Sequence, residues 1–332
     1  MNLYEQTNQY LSQLPLLQAW PEMSSFLLGA ASKKPHDWWL PVIGSEAVGG
    51  TQEVALPAVA SIAALQASII LIDDMLDADP RGYHHQIGQP ATANLASALQ
   101  ALSLQAIAHA PLPAPTQATI MHNLGQMMCQ TAQGQQLDVQ NPQDEAGYWR
   151  VVATKSTPFF STALYIGALC GGAEPNQAAA IAEVGRLYGA MIQIHDDLHD
   201  TMAVPAGPDW LQDRSPLPIL FAQTVPHPER EAFMMLRRQA ANPEALQAAQ
   251  EILLRCGAVS YAVDQIWRRY RKAQRLIVTL PAPGPEKLGE LLLRLMEPVQ
   301  KLLQAAGGTP LIIKANLPNQ TQQEAVMAET VA

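Results

Sequence analysis

The stretch ILIDDMLD, residues 70–77, ends a long apolar segment with three aspartates. Asp73 and Asp77 lie four residues apart, so a helix places both carboxylates on one face, a single turn from each other. Like charges at this spacing repel by about 0.2–0.5 kcal/mol, and the negative end of the helix dipole adds to the cost. The stretch therefore predicts a helix whose C-terminal end binds a cation.

A second stretch, QIHDDLHD at residues 193–200, repeats this arrangement after another apolar segment. Asp196 and Asp200 again share one helix face. A single acidic cluster is compatible with a solvated helix end, but two copies of Asp-Asp-x-x-Asp favour a binding site. Carboxylate oxygens suit Mg²⁺, which keeps several waters and is usually completed by substrate phosphate oxygens. We therefore predict two facing clusters that hold a diphosphate between Mg²⁺ ions.

The second cluster also contains two histidines, which offer a zinc alternative. His195 and His199 lie four residues apart in HDDLH, a pattern similar to the HExxH zinc helix. Asp196 would then stand where that motif has its glutamate base, with a side chain one methylene shorter. This interpretation leaves the first cluster without a role, so the sequence favours magnesium.

Hydrophobic periodicity predicts an all-α protein. Apolar residues recur at helical spacing along most of the chain, and alternating runs of β-branched residues are scarce. We predict one large helical bundle over residues 1–304, followed by a polar, poorly ordered tail over 305–332. The predicted helices cover residues 3–14, 16–30, 52–78, 91–109, 115–138, 143–170, 176–203, 216–223, 228–256, 258–279 and 284–305.

Charge excludes nucleic acid as a partner. The chain of 332 residues carries 20 Lys plus Arg against 29 Asp plus Glu, a net charge of −9. This balance repels nucleic-acid phosphate unless basic residues cluster, and the sequence contains no run of five or more Lys and Arg residues.

Two features bear on the location of the protein in the cell. The longest apolar run, residues 55–72, contains Pro57 and leads directly into the first acidic cluster, which favours a buried helix over a membrane span. The cysteines are odd in number and widely separated, unlike a disulfide framework, and they stand at Cys129, Cys170 and Cys256. We therefore expect a cytoplasmic protein with no membrane span.

Short motifs accompany the two acidic clusters in a fixed order. They are GQQLD at 134–138, KST at 155–157, Gln193 ahead of the second cluster, and DWLQDRSPLP at 209–218. With the clusters, they resemble the trans-isoprenyl diphosphate synthases, the polyprenyl synthetase family, whose corresponding elements are GQxxD, KT, FQxxDD and D-x4-GK-x-TLP. Arg214 stands where the family has lysine in the last of these.

This resemblance implies a class I isoprenoid (terpenoid) synthase bundle that ionises an allylic prenyl diphosphate and condenses it with isopentenyl diphosphate. It implies a homodimer and a Mg²⁺ cluster held by six aspartates: Asp73, Asp74, Asp77, Asp196, Asp197 and Asp200. It also implies three catalytic groups that assist the departing diphosphate and two further substrate-binding groups: Lys155, Gln193 and Arg214, then Gln135 and Asp138. Metals and cations of this kind stabilise the charge that develops on the leaving group.

The length of the product depends on an apolar cavity beneath the first cluster. Ser68 and Ile69 take the positions where short-product members of the family often carry aromatic side chains, and we expect both to face this cavity. Small or aliphatic residues leave the cavity open, which favours products longer than fifteen carbons.

The sequence departs from the family at the site for isopentenyl diphosphate. Residues 31–41 stand where the family has a GGKRxRP loop, and they offer Lys33 and Lys34 but no arginine. Arg81 is the single arginine where the family has two, and Gln66 replaces the usual histidine. We expect Lys33, Lys34 and Arg81 to bind the second diphosphate less strongly, because lysine lacks the bidentate geometry of arginine, whereas Gln66 is a tolerable polar exchange.

This departure leaves two alternatives open. A terpene cyclase, or a prenyltransferase with another acceptor, would ionise the allylic substrate without using isopentenyl diphosphate. A non-catalytic family member is the other alternative, although such a subunit would be expected to lose the aspartates that both clusters retain.

Overall fold

The computed structural model describes residues 1–305, which are all-α as predicted, with no β-strand among them. The α-helices of this part of the chain are α1 Leu3–Ser12, α2 Pro15–Ala19, α3 Pro21–Ser32, α4 Leu40–Glu46, α5 Gln52–Leu76, α6 His84–Ile87, α7 Gln89–Ala108, α8 Ala114–Val139, α9 Glu145–Val151, α10 Thr157–Cys170, α11 Pro175–Met202, α12 Pro208–Leu211, α13 Leu217–Thr224, α14 Arg230–Arg237, α15 Pro243–Arg255, α16 Ala258–Ile277 and α17 Gly284–Ala305. A 3₁₀ turn, His36–Trp39, precedes α4, and a π-helical turn, Val152–Ser156, joins α9 to α10.

Several predicted helix boundaries were wrong because the effects of asparagine and proline at the start of a helix were not recognised. The helix predicted over 228–256 is divided into α14 and α15, because Asn242 caps α15 by accepting hydrogen bonds from two backbone N–H groups and Pro243 begins the new helix. Helix α4 is absent from the predicted set because proline usually breaks a helix, whereas Pro41 lies in the first turn of α4, where proline is tolerated. The predicted tail lies outside the described residues apart from Ala305.

The core of the bundle lies around α10, which is buried along most of its length. It packs between α4, α5, α8 and α11, and α7 covers the other side of α5. Helix α5 is long and apolar enough to cross a membrane by length and composition alone, but 72% of its most apolar window is buried inside the bundle. This burial agrees with the expected core helix. The three cysteines, Cys129, Cys170 and Cys256, are free thiols.

Candidate active site

The two acidic clusters meet in one cleft, as predicted. The C-terminal parts of α5, α8 and α11 and the segment that follows α12 enclose a cavity of about 300 Å³. Seven carboxylates line it: Asp73, Asp77, Asp138, Asp196, Asp197, Asp200 and Asp209. Since only Lys155 and Arg214 oppose them among the lining residues, the cleft carries a large excess of negative charge.

Lys155 connects the first cluster to α8. Its Nζ lies 2.6 Å from Asp138 Oδ2 and 2.9 Å from Asp73 Oδ1. Burial alone would lower the pKa of this ammonium, but the charges of Asp73 and Asp138 outweigh that effect and hold the pKa above its ordinary value. Lys155 is therefore a permanent cation inside the cleft.

The backbone around Lys155 is π-helical, and Gly134 on α8 lets the two segments pack closely. A Cβ atom on Gly134 would lie 2.2 Å from the backbone nitrogen of Lys155, so any larger residue would force the segments apart. Turns of this kind occur frequently at functional sites. The glycine of the GQQLD motif thus fixes the position of the lysine against the cleft.

Arg214 pairs with Asp77, the second aspartate of the first cluster that lines the cleft. Its Nη2 lies 2.5 Å from Asp77 Oδ1, and its Nη1 lies 3.7 Å from Asp138 Oδ2. The neighbouring Gln212 donates from Nε2 to the backbone carbonyl of Asp77 at 3.0 Å. Asp138 lies within reach of both cations, which explains how the short motifs that accompany the clusters contribute to one site.

Asp197 differs from its neighbours because its carboxylate is already satisfied by the protein. The residue is 5% exposed, and its Oδ2 accepts hydrogen bonds from Tyr148 Oη at 2.6 Å and from the backbone N–H of Leu217 at 2.9 Å. Its Oδ1 accepts from Gln193 Nε2 at 2.9 Å. Burial raises the pKa of Asp197, and these bonds oppose that rise. These contacts favour a structural role for Asp197 over its predicted role as a metal ligand.

The side-chain amide of Gln193 forms hydrogen bonds through both its nitrogen and its oxygen. Besides donating to Asp197, it accepts a hydrogen bond from Ser156 Oγ at 2.5 Å. These contacts connect α11 to the π-helical turn that carries Lys155. Gln193 is thus placed to position its neighbours, and the structure does not favour the direct catalytic role predicted for it.

Asp196 and Asp209 have strongly perturbed pKa values. The walls of the cleft remove the Asp196 carboxylate from bulk water, although the residue remains accessible at the cleft surface, and Asp197, Asp200 and Asp37 repel its charge. Together these effects raise its pKa to about 7. Desolvation followed by repulsion from Asp197 and Asp200 also raises the pKa of Asp209 to about 7.

Asp74 lies apart from this cleft, contrary to its predicted role as a metal ligand. It faces the turn that follows α5, where burial and then Asp79 and Asp73 raise its pKa. The Cβ position at Gly82 would lie 3.0 Å from Asp74 Cβ, which confirms this placement. The adjacent positions 73 and 74 thus point in different directions, as neighbouring residues on a helix do.

The predicted residues for the second diphosphate are not assembled as expected. Gln66 donates from Nε2 to Asp37 Oδ2 at 2.6 Å and accepts from Trp38 Nε1 at 2.9 Å, so protein groups bind both ends of its amide. Lys33 and Lys34 are exposed after the end of α3 and do not line the cleft.

Arg81, the remaining predicted contact for that diphosphate, is bound by a neighbour. It pairs with Asp79 at 2.8 Å, and its side chain is 85% exposed. The charges of Asp74 and Asp200 help to raise its pKa after that of Asp79. Arg81 is therefore a surface side chain that does not line the cleft.

An apolar cavity of about 130 Å³ lies beside the first cluster, between α5, α7 and α8. Ile69 lines it opposite Met127 and Met128, as predicted. The prediction for Ser68 was wrong: its hydroxyl donates to the backbone carbonyl of Ala96 on α7 at 2.9 Å, away from the cavity. Position 69 faces α8 and position 68 faces α7.

Gln135 lines the same apolar cavity and is itself 4% exposed. Its Nε2 makes no hydrogen bond within the described part of the chain. A buried donor without an acceptor is rare and marks a place where a bound molecule can supply one. This observation agrees with the predicted contact to substrate.

Three residues in or near the site were not predicted from the sequence. Tyr148 and Asp209 lie in the cleft, and Asp37 is bound by Gln66 and is near enough to Asp196 to raise its pKa. Asp209 begins the DWLQDRSPLP motif, so that motif could have pointed to it. Nothing in the local sequence signals Tyr148 or Asp37.

The donor chemistry of the cleft fits magnesium. Oxygen ligands and an excess of carboxylates are what a hard divalent cation requires. Among the side chains that the structure describes, those of residues 1–297, no group of three or more acidic, histidine or cysteine side chains is arranged to enclose an ion. The absence of an enclosing set among the described side chains is compatible with Mg²⁺, which commonly uses one or two carboxylates and completes its shell with water and phosphate oxygens.

Comparisons with known proteins agree with this geometry. The family model for polyprenyl synthetase matches residues 40–253. The geranylgeranyl diphosphate synthase of Methanosarcina mazei is 25% identical over 283 residues, which cover 81% of this chain and 82% of that protein. The short chain isoprenyl diphosphate synthase of Methanothermobacter thermautotrophicus is 26% identical, over 72% of this chain and 78% of that protein.

Solved structures share the fold. The geranylgeranyl pyrophosphate synthetase of Pyrococcus horikoshii superposes with a TM-score of 0.77 at 19% identity, covering 88% of this chain and 95% of that one. A decaprenyl diphosphate synthase from Rhodobacter capsulatus gives a TM-score of 0.75 at 20% identity, covering 90% and 95%. The predicted class I isoprenoid synthase architecture is therefore confirmed.

Proposed function

The chain belongs to the polyprenyl synthetase family and is a trans-prenyltransferase, and on this premise we propose how its own residues act on a prenyl diphosphate. The proposed substrates are an allylic prenyl diphosphate and isopentenyl diphosphate, and the proposed product is a longer polyprenyl diphosphate. The observation that carries this proposal is the single cleft in which aspartates of both clusters surround Lys155 and Arg214.

The chain binds and orients the allylic diphosphate through charge. Asp73, Asp77, Asp196 and Asp200 would hold Mg²⁺, which when bound supplies Lewis-acid stabilisation of the charge on the departing diphosphate. Lys155 lies close to the first of these aspartates and Arg214 close to the second, where both can also donate hydrogen bonds to phosphate oxygens.

The prenyl tail occupies the apolar cavity beside the first cluster. Its walls exclude water, which protects the allylic cation from hydrolysis while the new carbon–carbon bond forms. Gln135 lies in the wall of this cavity, three residues before Asp138 of the cleft, and is placed to contact the substrate where the two spaces approach each other. Asp197 and Gln193 act as positioning residues that fix α11 against the π-helical turn.

Product analysis tests the reaction directly. The protein is incubated with MgCl₂ and farnesyl or geranylgeranyl diphosphate, with and without isopentenyl diphosphate. We expect longer prenyl diphosphates only when isopentenyl diphosphate is present. Hydrocarbons or alcohols formed equally well without it would contradict elongation and would favour the cyclase alternative.

Ile69→Phe is expected to shorten the product. The larger ring would fill the cavity of about 130 Å³ that Ile69 lines, leaving less room for the growing chain. Product lengths are measured by reversed-phase chromatography after removal of the diphosphate. Ile70→Phe is the matched control, because Ile70 is 49% exposed and does not line the cavity. An unchanged product length in Ile69→Phe, or an equal change in both variants, would show that this cavity does not limit growth.

Mg²⁺ is expected to stabilise the protein more at about pH 8 than at about pH 5. Asp196 and Asp209 have an ordinary pKa of 3.8 and a folded pKa of about 7. A carboxyl group with a raised folded pKa favours folding most below its ordinary pKa, and that contribution is lost as pH rises through about 7. Carboxyl groups with lowered pKa values, such as Asp79, change the stability of the protein only at a pH below this range.

Thermal unfolding in EDTA and in MgCl₂ at both pH values provides the measurement. In EDTA we expect stability to fall between about pH 4 and pH 7, and at the higher pH bound Mg²⁺ compensates the ionised carboxylates. The double variant Asp196→Asn with Asp209→Asn should reduce this pH dependence. An equal effect of Mg²⁺ at both pH values in the unmodified protein would contradict the assignment.

The quaternary structure and the cellular location are also proposed. We propose a homodimer, which light scattering tests, and a cytoplasmic protein, which agrees with the free thiols of its three cysteines. A monomer at micromolar concentration would contradict the first proposal.

A further inference from the structure

A second cavity, of about 570 Å³, lies beside the active-site cleft but separate from it. Residues of α12, α13, α14 and the α14–α15 connection line it, and none of them also lines the cleft. Asp213 belongs to this cavity and the next residue, Arg214, belongs to the cleft, so the backbone between them separates the two spaces. The active-site chemistry described above makes no use of this cavity.

Three arginines line the second cavity: Arg230, Arg237 and Arg238. Asp213 is the single carboxylate among its lining residues, so the lining carries a net positive charge within a protein whose net charge is −9. A positively charged concave surface attracts anions even though the net negative charge of the whole protein repels them. This is the reverse of the cleft, where carboxylates dominate.

Arg237 is the buried member of this group and is incompletely satisfied. Its side chain is 3% exposed, and it donates to the Gln223 side chain and, at 2.6 Å, to the backbone carbonyl of Arg214. Its Nε makes no hydrogen bond with the part of the chain whose side chains the structure describes, residues 1–297. The nearest carboxylate, at 3.0 Å, is Asp213, whose own side chain is 83% exposed. Burial lowers the pKa of Arg237 more than Asp213 and Asp209 raise it, so its charge is undercompensated.

Arg230 and Arg238 are exposed and have guanidinium donors available. Arg230 donates from Nε to the backbone carbonyl of Gln223 at 2.6 Å, and its terminal nitrogens make no hydrogen bond among the described residues. Arg238 makes no hydrogen bond or ion pair within the part of the chain that the structure describes. Guanidinium groups bind phosphate oxygens in a bidentate manner, so such a set can hold more than one phosphate at once.

We propose that this cavity is a binding site for a diphosphate group, distinct from the catalytic cleft. The net positive lining matches the multiple negative charge of a diphosphate better than that of a single carboxylate. The volume exceeds that of the anion alone, and Leu211, 59% exposed, and Met234 provide apolar surface beside it. Both inorganic diphosphate and the head group of a prenyl diphosphate carry this chemistry.

Isothermal titration calorimetry in EDTA tests the site. Without divalent cations the carboxylates of the cleft repel diphosphate, so binding there does not interfere. We titrate the full chain with inorganic phosphate, inorganic diphosphate and farnesyl diphosphate. We expect inorganic diphosphate to bind at one site and inorganic phosphate to bind at least tenfold more weakly. Tighter binding of farnesyl diphosphate would assign the site to prenyl diphosphates, and equal binding would assign it to the inorganic anion; either supports the site.

Variants locate the binding. Arg230→Gln and Arg238→Gln should each weaken diphosphate binding about tenfold or more, as expected for the loss of a charged hydrogen bond. These side chains are exposed, so both variants should fold, which circular dichroism checks, whereas a variant of Arg237 risks the fold. Arg275→Gln on α16 is the matched control, and Asp196→Ala in the cleft should leave the affinity unchanged. No binding by the unmodified protein, or an affinity in both arginine variants equal to that of the unmodified protein, would overturn the proposal.

Discussion

Asp73→Ala and Asp196→Ala are each expected to lower the rate of prenyl transfer by about a thousandfold or more while the protein remains folded. Each removes a carboxylate from one wall of the shared cleft, and with it part of the site for the metal that stabilises the departing diphosphate. Such stabilisation amounts to several kcal/mol, and each 1.4 kcal/mol or so corresponds to a factor of ten in rate. Diphosphate release at saturating MgCl₂ is the measurement.

The stability of these two variants separates a lost function from a lost fold. Lys155 keeps Asp138 as a partner when Asp73 is removed, because its Nζ contacts both carboxylates. Removing Asp196 relieves the repulsion that raises its own pKa, so that variant should unfold in EDTA at the same temperature or above. Asp264→Asn is the matched control, since Asp264 is an exposed partner of Arg268 on α16. Diphosphate release at the unmodified rate in both variants would refute the metal assignment.

Asp197→Ala should instead destabilise the fold, by about 3–5 kcal/mol. The change leaves three buried donors, Tyr148 Oη, the Leu217 N–H and Gln193 Nε2, without their acceptor. An unsatisfied buried donor costs about 1–3 kcal/mol, and the contributions are not strictly additive. Urea unfolding followed by circular dichroism measures the difference.

Two further variants test the cause of that loss. Tyr148→Phe removes one donor and should cost about 1–2 kcal/mol, because Asp197 then keeps its other two partners. Asp200→Ala is the matched control. Because Asp200 is exposed near the end of α11, the loss of its side chain should change the free energy of unfolding little. If Asp197→Ala unfolded at the same urea concentration as Asp200→Ala, the structural role of Asp197 would have to be abandoned.

Local sequence was sufficient for the helical class and for the two Asp-Asp-x-x-Asp motifs, whereas their meeting in one cleft was expected from the presence of two such motifs and from the family resemblance. The reason is that four-residue spacing fixes which side chains share a helix face, whatever the helix packs against. It also identified Lys155, Arg214 and Asp138 through short motifs, and the structure brings all three together. The split between α14 and α15 was missed although its signal, Asn242 followed by Pro243, is local.

The three-dimensional packing alone determined which aspartates remain available to a ligand. Asp196 and Asp197 are adjacent and chemically identical, yet one faces the cleft with a pKa of about 7 and the other is held by partners 49 and 20 residues away along the chain. Gln66 is a second example, because the fold places its amide in hydrogen bonds with Asp37 and Trp38 and so leaves it unavailable to a ligand. A sequence pattern specifies a helix face, but the groups that meet that face come from distant segments, and only the fold brings them within hydrogen-bonding distance.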